Sequence, residues 1–130
     1  MRLVVVAVAG LLSLAPAAQA RSVSYLNFHS PSKRISCSVE KYGGPGLECT
    51  SPDITRFGDL DPYFRVSTRG HARLGQRGDV NRYNVRSRAL RYGATWKRFG
   101  VTCHMRRSGL TCRNRSGHGF HMAIGDTRLF

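Results

Sequence analysis

Apolar and polar residues alternate through Val101-Thr102-Cys103-His104-Met105, and the alternation returns in Leu110-Thr111-Cys112-Arg113. A period of two is the mark of a half-buried strand. Setting Cys103 opposite Cys112 places Met105 opposite Leu110 and leaves Arg106-Arg107-Ser108-Gly109 as the turn of a hairpin. Ile35-Ser36-Cys37-Ser38-Val39 has the same pattern, and Cys37 set opposite Cys49 brings Val39 to Leu47 around Gly43-Gly44-Pro45-Gly46. Residues 25–28, 63–67 and 118–124 are further strand candidates. Helical periodicity never persists, because glycine recurs every few residues. The exception is Ser51-Pro52-Asp53, where Ser and Asp suit a cap and Pro a first turn, so one short helical turn is expected there. The predicted fold is all-β: a small antiparallel sheet, or an open barrel or sandwich, built from hairpins. Each cysteine hairpin follows a basic pair, Lys33-Arg34 or Lys97-Arg98, and returns through Leu-x-Cys. So short a likeness reads as two independent hairpins rather than as a duplication.

The cysteines turn this pattern into a covalent expectation. Four cysteines allow three connectivities, and the two hairpin registers select Cys37–Cys49 and Cys103–Cys112. Facing cysteines in an antiparallel pair lie within disulfide reach. Each bridge would close a loop of about ten residues, worth about 2.5–3 kcal/mol on the chain-entropy account. Disulfides imply an oxidising compartment, and the start of the chain agrees. Arg2 precedes an apolar run over residues 3–14, then Pro16 and the small-x-small site Ala18-Gln19-Ala20. Residues 1–20 therefore read as a cleaved secretory signal and 21–130 as one exported domain, with no membrane span left after cleavage. As an uncleaved anchor the apolar stretch would be only about 18 residues, the low limit for a span.

Charge is concentrated. Residues 65–115 hold fourteen Lys or Arg against one acid, Asp79, and the whole chain carries a formal +14. Arg65, Arg69, Arg73 and Arg77 recur at an even spacing that would place them on one face of extended chain. From residue 82 to 98, Arg82, Arg86, Arg88, Arg91, Lys97 and Arg98 are interleaved with Tyr83, Tyr92, Trp96 and neighbouring Phe99. Guanidinium forks hold phosphate or carboxylate while rings stack, so these six cations are the expected anion-binding residues. Eighteen Arg against three Lys is also what arginine-rich codon usage would leave on a solvated surface.

The histidines suggest less. Cys103, Cys112, His118 and His121 cluster in sequence, but their spacings match no zinc pattern and exported cysteines are oxidised, so no metal or cofactor is expected. A general acid–base pair drawn from His29, His71, His104 and His118 would suit a secreted nuclease, with His104 and His118 the preferred pair. His104 would share an outward face with Thr102, Thr111 and Arg113, whereas His118 would follow Phe120 and Met122. Arg77-Gly78-Asp79 is a chance match to an integrin tripeptide in so arginine- and glycine-rich a chain, and Asn114-Arg115-Ser116 is a glycosylation sequon only in a eukaryotic secretory pathway.

These residues resemble a family of small secreted bacterial proteins of unknown function, DUF6636. The likeness runs through Phe28-His29-Ser30-Pro31-Ser32-Lys33-Arg34-Ile35-Ser36-Cys37, Leu47-Glu48-Cys49, Leu90-Arg91-Tyr92-Gly93, Val101-Thr102-Cys103, Ser108-Gly109-Leu110-Thr111-Cys112 and Gly117-His118-Gly119-Phe120. It implies secretion and a disulfide-stapled β domain, and supplies no activity, ligand or catalytic residue. Family members often carry a further central cysteine pair; Leu74-Gly75-Gln76-Arg77-Gly78-Asp79 resembles that region without the cysteines.

The expectation is therefore a monomeric, periplasmic or secreted β protein of the cell envelope that binds rather than catalyses. Its basic surface would meet an anionic envelope polymer or an anionic lipid surface, with extracellular nucleic acid bound non-specifically. The alternative is a secreted hydrolase, such as a small nuclease using His104 and His118.

Overall fold

The alternation read around the cysteines continues outward strand by strand. The computed structural model describes residues 21–78 and 86–130; the proposed signal, Arg82 and Tyr83 lie outside the described residues. In chain order the strands are β1 (Ser22–Val23), β2 (Asn27–His29), β3 (Ser36–Glu40), β4 (Gly46–Thr50), β5 (Asp61–Ser67), β6 (Arg73–Arg77), β7 (Arg88–Ala89), β8 (Thr95–Arg98), β9 (Val101–Arg106), β10 (Gly109–Arg113), β11 (Gly119–Ala123) and β12 (Asp126–Leu129). They form two six-stranded sheets in a sandwich, one ordered β1-β8-β9-β10-β11-β12 and the other β7-β2-β3-β4-β5-β6. We call these sheet A and sheet B.

The two sheets share one plan. Each is an antiparallel meander of consecutive strands, β8 to β12 or β2 to β6, edged by a two-residue parallel strand. The edge strands are exchanged: β1, which precedes the first meander, pairs with β8, and β7, which precedes the second, pairs with β2. The inward rows also correspond. Across sheet B, Phe28, Cys37, Cys49, Phe64 and Leu74 are successive register partners. Across sheet A the same row reads Trp96, Cys103, Cys112, Phe120 and Leu129. The rows meet ring to ring, Phe28 on Trp96 at 5.4 Å and Phe64 on Phe120 at 5.7 Å. The similar cysteine hairpins are thus the centres of two structural repeats, not independent features. The reading as unrelated hairpins fails because the repeat lies in strand order and register, while most of its residues differ.

Both disulfides form as the registers require. Cys37 and Cys49 are Cα partners 4.1 Å apart, and Cys103 and Cys112 are partners 4.0 Å apart. All four cysteines face the core. Replacing Cys103 and Cys112 together with alanine should lower the unfolding free energy by about 3 kcal/mol. Urea unfolding followed by far-UV circular dichroism checks this; a loss below about 1 kcal/mol would mean that sheet pairing alone holds the hairpin.

Two expectations need correction, and the discounted sequon gains a structural role. Ser51-Pro52-Asp53 makes a turn and not a helix. The buried Ser51 hydroxyl accepts from the Asp53 amide at 3.0 Å, and the Asp53 carboxylate is held by Arg34 at 2.9 Å. The capping bond forms and the Ile54 amide closes one turn on the Ser51 carbonyl at 3.3 Å, but no helix follows it. Trp96 is not an interleaved surface ring: it stands opposite Cys103 in the buried row, so its side chain points inward and is fully buried. Asn114, the sequon asparagine, is buried, and its Nδ2 donates to the carbonyls of Ser67 at 3.0 Å and Gly70 at 2.7 Å. A glycan on that nitrogen would break the junction between the β5–β6 turn and the β10–β11 turn.

The Gly117-His118-Gly119-Phe120 motif has a local cause. Gly117 takes a positive φ of 81°, and a Cβ on Gly119 would sit 1.8 Å from the Cys112 carbonyl oxygen. Strand β11 can approach β10 closely enough to bury Phe120 against Phe64 only with glycine at that position.

Candidate anion site on the outer face of sheet A

Residues one step along each strand from the buried row point outward. Across sheet A they form a continuous polar row: Thr95 opposite His104, His104 opposite Thr111, Thr111 opposite His121, His121 opposite Arg128. The two imidazoles are held alike. His104 Nδ1 is hydrogen-bonded to Thr95 Oγ1 at 3.1 Å, and His121 Nδ1 to Thr111 Oγ1 at 2.8 Å. Each ring is therefore pinned by a threonine on the preceding strand, and neither Nε2 has a hydrogen-bond partner among the described residues. His121 Nε2 lies 3.7 Å from an Asp126 carboxylate oxygen, close enough for Coulomb attraction but beyond a hydrogen bond. A hydrogen bond from Arg128, and then the charges of Arg128 and His121, hold the Asp126 carboxyl below the usual carboxylate range.

Around this row lies an open cleft of about 620 Å³, with Arg106, Arg113, Arg115 and Arg128 along its margins. Lys97 and Arg113 lie on the same outer face, each opposite Thr102. The Arg113 guanidinium covers the Phe130 ring at 4.9 Å. Arg106, Arg113 and Lys97 have no carboxylate within ion-pair distance among the described residues. Asp126 is the one acid on the row's flank, and it is engaged by Arg128.

The equivalent row on sheet B ends differently. It reads Asn27, Ser38, Glu48, Arg65 and Arg73. Glu48 occupies the position of Thr111 and Arg65 that of His121. Arg65 donates to Glu48 at 2.9 Å and to the carbonyls of Tyr42 at 2.9 Å and Gly44 at 2.7 Å. Arg77 also pairs with Glu48, and the Tyr42 hydroxyl donates to that carboxylate. Burial first, and the hydrogen bond to Glu48 second, push the Tyr42 phenol well up, so it stays a donor. The side chains close over one another: the Glu48 side chain is 5% exposed and that of Arg65 13%. The even spacing of four arginines does not run along one strand: Arg69 lies in the β5–β6 turn, Arg65 on β5 meets Arg73 of β6 across the hairpin with Arg77 further along β6, and the charges of Arg65 and Arg77 are spent on Glu48.

The six cations read from the sequence do not form one patch. Arg82 lies outside the described residues. Arg86 and Arg88 are exposed at the β7 edge of sheet B, where Arg88 rests over the Tyr25 ring at 5.6 Å. Arg91 is exposed in the turn before β8, and Arg98 donates to the Ser24 carbonyl at 3.1 Å. Of the five that are described, only Lys97 stands on the face with the histidines. Tyr92 is covered by Arg107 at 4.7 Å, and Phe99 packs on Trp96 at 5.9 Å.

The histidine pairing also changes. His118 stacks on His71, ring centroids 3.9 Å apart, away from His104. His29 binds Ser87 through Nδ1 at 2.8 Å, and burial, then the Lys33 charge, lower its pKa. The residue that joins His104 is His121. A signal for it was present: extending the hairpin register by one strand, with Phe120 opposite Cys112, puts His121 beside Thr111.

No curated protein and no solved structure is similar to this chain. A family model described as a family of unknown function, DUF6636, matches residues 52–130, from the turn before β5 to the last residue. The match takes in the sheet A meander, its disulfide and every residue of the cleft, so the chain belongs to the DUF6636 family.

Proposed function

We propose that this protein binds an anionic polymer outside the reducing cytosol, through the outer face of sheet A. One observation carries the reading. Two equivalent sheet faces are built on one plan; sheet B commits Arg65 and Arg77 to Glu48 and leaves Arg73 outside that cluster, whereas sheet A keeps Lys97, Arg106 and Arg113 without a carboxylate partner among the described residues, beside two pinned imidazoles. Open guanidinium groups along a cleft suit a repeating anion, which they meet with charge-assisted, forked hydrogen bonds. The two disulfides and the signal-like first twenty residues support action in the cell envelope or beyond it. Net +14 supplies long-range attraction to any polyanion but no preference among them.

Retention on immobilised heparin across a salt gradient tests the location of the site. A triple variant Arg106→Ser, Arg113→Ser, Arg128→Ser should elute at clearly lower salt than the parent. A triple variant Arg86→Ser, Arg88→Ser, Arg91→Ser, which removes equal charge from the β7 side, should shift elution much less. Equal shifts would reduce the attraction to net charge, and the opposite order would move the site to the β7 edge.

A further inference from the structure

We infer that the protein has a second ligand site, a slot at one end of the sandwich that takes a single anionic amphiphile. The apolar chain enters between the sheets, and the anionic head rests on arginines at the mouth. This site goes beyond the polymer reading and stands without it. The slot lies where the β9–β10 and β11–β12 turns of sheet A face the β2–β3 turn of sheet B. Its volume is about 340 Å³, inside the range of about 300–1,000 Å³ typical of small-ligand pockets.

Ile35 comes from the sheet B side and Met105 and Met122 from sheet A, and these buried side chains form the inner end. Methionine is unbranched and adapts its shape, so two thioethers suit a wall that must yield to a flexible chain. Outside them Ile124 and Tyr92 carry the apolar lining to the surface, at 74% and 39% exposed. Ile124 shares the two-residue β11–β12 turn with Gly125, which takes a positive φ of 73°. Such turns favour Gly, Asn or Asp, so the local backbone gives no reason for a β-branched apolar residue there. A chain lying against it supplies one.

The mouth is cationic. Arg34, Arg106 and Arg107 line it against one carboxylate, Asp53, which Arg34 holds at 2.9 and 3.1 Å. Arg107 covers the Tyr92 ring at 4.7 Å; a stacked guanidinium still presents its N–H edge to an anion. Arg106 has no carboxylate within ion-pair distance among the described residues. An uncharged chain would leave these two charges unanswered, and a bare anion would leave the apolar lining unused. The combination selects a molecule with both parts. Arg106 and Ser108 also line the sheet A cleft, so the two sites adjoin without coinciding.

The test titrates the purified protein with decyl phosphate below its micelle concentration, with inorganic phosphate and with decyl maltoside. Calorimetry gives the affinities, and NMR follows the ε-methyl groups of Met105 and Met122. Decyl phosphate should bind about 100-fold or more tighter than inorganic phosphate and shift both methyl signals, with decyl maltoside about tenfold weaker than decyl phosphate. Ile124→Asp should weaken decyl phosphate about tenfold or more. Leu26→Asp makes the same charge change at a residue 50% exposed outside the slot, and should cost less than about threefold. Arg106→Ser with Arg107→Ser should bring decyl phosphate down to the level of decyl maltoside and leave the maltoside unchanged. Decyl phosphate no tighter than inorganic phosphate, or bound without moving the methyl signals, overturns the chain site. Equal losses from Ile124→Asp and Leu26→Asp reduce it to net charge. Decyl maltoside bound as tightly as decyl phosphate overturns the anionic head. Heparin retention should fall no further in Ile124→Asp than in Leu26→Asp, so failure of the slot and failure of the polymer face are read separately.

Discussion

Trp96→Ala should lower the unfolding free energy by about 3–5 kcal/mol, the largest loss expected from a single side chain here. Trp96 is fully buried at the point where the two repeats meet. Its ring packs on Phe28 at 5.4 Å and Phe99 at 5.9 Å, and Nε1 donates to the Tyr25 carbonyl at 2.8 Å. Truncation removes the ring's dispersion contacts, opens a cavity between the sheets and leaves the Tyr25 carbonyl without its donor. Trp96→Phe fills most of that space and should cost less, the lost hydrogen bond being its main term. Because Trp96 is the one tryptophan in the chain, the substitution also removes the fluorescence signal. The midpoint must therefore be read by urea titration with far-UV circular dichroism. A loss below about 1 kcal/mol would show that the sheets do not depend on this contact. It would also reopen Trp96 as a surface ring.

Glu48→Ala should cost about 3 kcal/mol or more, although Glu48 looks in the sequence like an ordinary charged strand residue. Removing one member of a buried charged group leaves its partners desolvated and unpaired. Here the partners are Arg65, Arg77 and the Tyr42 hydroxyl, all converging on one carboxylate. The Arg77 side chain is 30% exposed and can turn to water, whereas that of Arg65 is 13% exposed and lies flat over Gly46. Arg65 should therefore carry most of the penalty. The double variant Glu48→Ala, Arg65→Ala should recover part of the loss, and a double-mutant cycle in urea reads the coupling. Additive losses would show that the pair adds nothing beyond its separate side chains. A gain in heparin retention by Glu48→Ala is a second expected result, since it frees two guanidinium groups on sheet B.

How far these sites were legible differs from one residue to the next. Cys37, Cys49, Cys103 and Cys112 were readable because a hairpin is local: the turn length and a period of two determine which residues face each other. His104 was placed on an outward face for the same reason. His121 was within reach of the same logic but needed one more register, across a turn whose close approach depends on Gly119. Glu48 was not readable. Its burial comes from Tyr42 in one turn and from Arg65 and Arg77 on two other strands, joined at sequence separations of 6, 17 and 29 residues. Arginine spacing alone could not show that two of those charges were already spent. The chemistry of the sheet A cleft stands out only beside this closed counterpart.

By itself the sequence determined the strand class, the hairpin registers and the two disulfides, because each follows from alternation and short loops along the chain. Tertiary structure alone decided the rest: that the hairpins are centres of two repeats, that Trp96 is core, and that His104 belongs with His121 and not His118. It also decided which arginines remain open to a ligand. Those outcomes depend on contacts between strands far apart in sequence, where burial and charge pairing, rather than local pattern, select the neighbours.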